Sequence, residues 1–134
     1  MNEKEFNDIL NSRLEKVKNV LAIKAKEYVR NEDRLHNFNV GARLENKHPT
    51  AVLHGMMLKH YISYLDILKD IQEGKEVKRE LIDEKIGDLI NYLILQECVF
   101  ISSIKAREKL YSIVADRLEH EIKGNLKKLD LKHE

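Results

Sequence analysis

One proline, Pro49, and five glycines are all that punctuate 134 residues. An all-β chain reverses direction every few residues and draws on glycine and proline to do so, so a chain this poor in breakers leaves little room for it. What remains is long helices, and the apolar spacing agrees. From about Glu3 to Val29, the residues Phe6, Ile9, Leu10, Leu14, Val17, Val20, Leu21 and Ala25 recur at intervals of three and four. That spacing predicts an amphipathic helix with one buried stripe. A short helix is expected from about Phe38 to Leu44. Asn46-Lys47-His48-Pro49-Thr50 then reads as a stop and a restart, with Thr50 as the N-cap of the next helix.

That next helix should run from about Ala51 to Gln72, with Gly74 placed where a C-terminal glycine cap belongs. A third helix is expected from near Arg79. It is apolar on two faces, with Ile82, Ile86, Leu89, Ile90, Leu93 and Phe100 on one and Leu81, Tyr92, Leu95 and Cys98 on the other. Such a helix is predicted to be central, with Cys98 in the core. Glu97 falls among Leu93, Ile94 and Ile101, where a carboxylate requires a partner. Beyond Lys105 the pattern narrows to Leu110, Ile113, Val114, Leu118 and Ile122, and Lys127 to Glu134 reads as a frayed, charged end. The expectation is an all-α bundle of about four helices with a long C-terminal helix. It forms a single domain over 1–134, with its core at about 3–122 and a charged tail at 123–134.

Hydrophobic residues make up 43% and charged residues 35%, a mix that suits amphipathic helices rather than a disordered chain. The formal net charge of +1 gives no bulk argument for nucleic acid. A lone cysteine fits a reducing compartment. No basic-then-apolar leader opens the chain, and continuous apolar runs such as Leu93-Ile94-Leu95 are far below the roughly 20 residues of a bilayer span. A cytoplasmic protein without a membrane partner is expected, or one that acts in the cytoplasm of a host.

Two stretches stand out chemically. Lys26-Glu27-Tyr28-Val29-Arg30-Asn31-Glu32-Asp33-Arg34-Leu35-His36-Asn37-Phe38 is dense in groups that bind phosphate and stack a base. Lys26, Tyr28, Arg34, His36 and Asn37 are the candidate nucleotide contacts. The alternative is a solvated connection capped by Asp33 or Asn37. In Glu84-Lys85-Ile86-Gly87-Asp88-Leu89-Ile90-Asn91-Tyr92, helical periodicity puts Glu84, Asp88 and Asn91 on one face. The preceding helix offers His54, His60 and Asp66. Clustered oxygens are what Mg²⁺ requires, whereas carboxylates one turn apart also serve as inter-helix ion-pairing groups.

Glu84 to Leu95 resembles the carboxylate helix of the MazG-like, all-α nucleoside triphosphate pyrophosphohydrolases. The Lys-Glu-Tyr and Asp-Arg-Leu-His-Asn-Phe stretches look like small phage proteins grouped with nucleotide modification. The resemblance covers roughly Leu21 to Val99. It implies a MazG-like bundle, a nucleotide or nucleoside phosphate as ligand, and Mg²⁺ held by Asp66, Glu84 and Asp88. Lys85 stands where that family has a glutamate, and His60, Ser63 and Asp66 stand where its earlier helix has paired glutamates.

Three readings follow. The first is a phage-type nucleotide-binding protein, with or without Mg-dependent hydrolysis at a degraded metal site. The second is a non-catalytic module that sequesters a nucleotide or binds a protein, and the third is a structural oligomer. The first requires the Asp33-to-Phe38 loop and the Glu84/Asp88 face to share one side of the bundle. A chain this small has few elements to cover a helix apolar on two faces, so a homo-oligomer, most simply a dimer, is expected.

Overall fold

The computed structural model describes residues 1–23 and 32–130, and side chains as far as Lys127. Every regular element among them is helical: α1 (Glu3–Lys18), a π-helical segment (Asn19–Ile23), α2 (His36–Glu45), α3 (Pro49–Gln72) and α4 (Arg79–Asp130). The expected all-α fold is therefore found.

The helix ends follow from side chains at their termini. Asn2 opens α1 with a capping box: its side chain accepts from the Glu5 N–H at 2.9 Å, and the Glu5 carboxylate accepts from the Asn2 N–H at 2.8 Å. The Asp33 carboxylate accepts from the Leu35 N–H and from the Asn39 amide, and α2 begins at His36, two residues earlier than expected. Asn46 ends α2 in the left-handed region, φ 49°.

The cap of α3 is His48 and not Thr50. Proline at the first helical position holds the residue before it extended, so His48, at ψ 144°, takes the cap. Its Nδ1 lies 2.8 Å from Thr50 Oγ1 and accepts from the Thr50 N–H at 3.3 Å. Gly74 lies just past the end of α3 at φ 73°, as expected, and Lys75 donates its N–H to the Asp70 carbonyl. α4 runs three residues past Lys127, so part of the expected frayed end is helix.

The chain divides into two compact units, Met1–Val99 and Phe100–Glu134. In the first, α2 packs on α3. Gly41 makes the approach possible, since a Cβ there would lie 3.1 Å from Val52 Cγ1. Ala42, Val52, Leu53, Ile67 and Val99 form the buried apolar set, with Gln96 the buried polar side chain among them. Three expectations are corrected here. α1 buries none of its stripe. The early part of α4 is not a central helix, because Leu81 and Leu93 are exposed. Glu97 and Cys98 are exposed as well, so Glu97 is not forced into a partnership and Cys98 is not core. The reason is common to all: periodicity states which residues prefer burial, but it does not state whether another element lies over them.

The second unit consists of α4 beyond Val99. Every described side chain there except Ser103 is exposed, Phe100, Ile104, Tyr111 and Leu118 included. Among the described residues α4 contains one stretch long and apolar enough to cross a bilayer by length and composition alone.

Candidate functional site

The first candidate site lies where α1 meets the start of α4. Arg13 and Lys16, three residues apart, both ion-pair with the Asp83 carboxylate, and Arg13 also donates to the Asp83 carbonyl at 2.8 Å. The Arg13 guanidinium lies over Gly87, in the space a Cβ would take. Glycine inside a helix costs about 1 kcal/mol relative to alanine, and here its missing side chain is the space the guanidinium occupies. The hydrogen bond from Lys16, together with the charges of both cations, holds the Asp83 carboxyl below its ordinary range.

The same junction has a small open cleft lined by Arg13, Lys16, Val17, Asn19, Val20, Asp83, Glu84, Gly87, Asp88 and Asn91, with a volume of about 190 Å³. Ligand pockets usually start at roughly 300 Å³. Each carboxylate beside it already has a nitrogen partner from the chain. Glu84 accepts from Lys85 at 2.6 Å, and this bond first of all raises the Lys85 pKa. Asp88 lies 2.9 Å from His60 Nδ1. The His60 ring rests against Tyr92, centroids 4.8 Å apart. Burial first, and then the Asp88 charge, push the Tyr92 phenol above its ordinary value. Asn91 Oδ1 is buried without a hydrogen-bond partner among the described residues, as is Gln96 Oε1.

The expected nucleotide contacts are distributed differently. His36 lines a second cleft with Asp33, Asn39, Arg43, Asn46 and Lys47. That cleft shares no lining residue with the one at Glu84 and Asp88. Arg34 donates to the Leu21 carbonyl, and Asn37 is exposed on α2. Lys26 and Tyr28 lie outside the described residues. Asp66 is exposed on α3. Among the described residues no three His, Cys, Asp or Glu side chains gather as metal ligands would.

The sequence reading passed over Arg13, Lys16 and Asp83, which form an ionic group that joins α1 to α4. Two signals pointed there: cations one turn apart on α1, and a glycine in mid-helix four residues after an aspartate. No protein-family model, curated protein or solved structure matches the chain.

Proposed function

We propose that this protein is a non-catalytic helical interaction module, which binds another helix through apolar residues that its own fold leaves uncovered. The observation that carries this reading is the exposed surface. Among the described residues, large apolar side chains stay exposed at helical spacing within each unit, Phe6, Ile9 and Leu10 on α1 in the first and Ile104, Leu118 and Ile122 on α4 in the second. Apolar surface of this kind marks association sites. The polar chemistry supports the same reading. Asp83, Glu84 and Asp88 each meet a nitrogen partner from the chain itself.

The test is the mass in solution of the purified protein beside Ile104→Asp/Leu118→Asp. The unmodified protein is expected to travel as a complex, with itself or with a co-purifying chain, and the variant as a 15.8 kDa monomer with unchanged helix content. Identical monomeric behaviour of both would overturn the reading.

A second reading keeps the nucleotide, bound with or without Mg²⁺ by a MazG-like, phage-type bundle. It is favoured by the convergence of His36, Arg43 and Lys47 on one cleft, two cations and an imidazole suited to phosphate. A thermal-shift series with nucleoside triphosphates, with and without Mg²⁺, checks it. Stabilisation that His36→Ala and Arg43→Ala remove is the expected result, and no shift with any nucleotide sinks it.

A further inference from the structure

Helices that pack on one another usually cohere through an apolar seam. Within the first unit, α1 does not. It has no buried residue, and only Arg13 and Val17 along it are even partly covered. Phe6, Ile9 and Leu10 line an open groove of about 1100 Å³ with Ile82, Ile86 and Ile90 of α4, so the two apolar sets do not close on each other. Among the described residues, every hydrogen bond and ion pair from α1 to α2, α3 or α4 ends on one residue, Asp83. The other charged groups beside the junction add no hold. Glu5 caps its own helix, Glu84 pairs with Lys85, and Asp88 pairs with His60 of α3. Asp8, Arg79 and Glu80 line the groove without an ion pair among the described residues.

We propose that α1 is a latched arm: Arg13 and Lys16 clasp Asp83 to hold it on α4, and raised ionic strength releases it while α2 and α3 stay folded on each other. This goes beyond the interaction-module reading and does not rest on it. Attraction between solvent-accessible charges weakens with salt, because the screening length falls from about 30 Å at 0.01 M to about 3 Å at 1 M. The clasp is open to that screening, since the Lys16 and Asp83 side chains are 51% and 39% exposed. The contact of α2 with α3 is of another kind. Gly41 lets α2 lie against Val52, and Ala42, Val52 and Leu53 are buried. Apolar burial offers no charge for salt to screen.

The geometry of the clasp suits a release point. Arg13 reaches both the carboxylate and the carbonyl of Asp83 and lies over Gly87, so the arm is fastened at one place. Freed from it, α1 has 16 residues, little more than the roughly 12–15 below which an isolated helix is marginal in water. Release therefore loosens the arm itself and bares Ile82, Ile86 and Ile90, which are partly covered in the latched state. Ionic strength thus sets how much apolar surface α4 offers.

Amide hydrogen exchange of the full chain, at neutral pH in sodium chloride of about 0.01 M and about 1 M, tests the latch. The high salt should speed exchange along residues 6–18 of α1 roughly tenfold and leave α2 and α3 nearly unchanged. Asp83→Asn, close to isosteric, should show the fast exchange of α1 in low salt already, with little further response to salt. Asp83→Glu keeps the charge and should retain most of the salt response. Protection of α2 and α3 in the same samples reports that each variant is folded. Four results would each overturn the latch: α1 equally protected in both salts, α1 unprotected in low salt, all three helices loosening together, or Asp83→Asn as well protected as the unmodified chain.

Discussion

At the scale of single residues, the Arg13–Asp83–Gly87 contact sets two energies against each other. Gly87→Ala gains about 1 kcal/mol of helix propensity but puts a methyl group where the guanidinium lies. In the natural chain we expect the two to cancel or to end in net destabilisation. In an Arg13→Ala background the clash is gone, and the same change should stabilise by about 1 kcal/mol. A double-mutant cycle by urea unfolding reads the difference, and additive effects would refute the contact. Asp83 adds a pH dependence. Its carboxyl is held below the ordinary value by Lys16 first and then by Arg13. A depressed folded-state pKa gives stability that is present above the unfolded value of about 4 and lost as pH falls through the folded one. Asp83→Asn should therefore lower stability at neutral pH, by about 1 kcal/mol at most because the pair is partly exposed. The difference from the natural chain should shrink as pH falls below about 4; a difference independent of pH would refute it.

At the scale of elements, α3 offers the sharpest check on where a helix begins. His48→Ala removes the acceptor for the Thr50 N–H and should cost about 1 kcal/mol, the usual value of an N-cap. Thr50→Ala leaves that acceptor in place and should cost less. The reverse order in thermal unfolding would return the cap to Thr50. This element also marks how far the sequence could be read. The starts of α1 and α4 and the glycine after α3 were legible, because caps, breakers and the 3.6-residue period are local in the chain. The cap of α3 was misassigned because serine and threonine are the common caps, whereas a proline at the first turn makes the residue before it the cap. Arg13, Lys16 and Asp83 were not legible as a group, since nearly seventy positions separate the partners. Periodicity identified Leu93, Leu118 and Ile122 as residues that prefer burial, but it carries no information on whether the covering surface belongs to the same copy.

For the molecule as a whole, stability and association should be one measurement. If the exposed face of α4 is covered by a second copy, folding is linked to concentration by mass action. The thermal midpoint should rise by several degrees when protein concentration is raised about a hundredfold. Ile104→Asp/Leu118→Asp should show a midpoint independent of concentration. A flat midpoint for the natural chain would separate folding from association and leave the apolar face energetically idle.

The uncovered stripe on α4 also has an evolutionary consequence. In most proteins the positions intolerant of change are the hidden ones, and the surface drifts freely. Here five apolar side chains are hidden among the described residues, so the pressure to remain apolar falls on residues that face outward. A library of variants selected only for soluble expression should enrich aspartate and lysine at positions 104, 111 and 118. The same library selected for whatever the protein does in its cell should purge them. The sites where the two selections disagree would trace the working surface residue by residue, without the partner having been identified first.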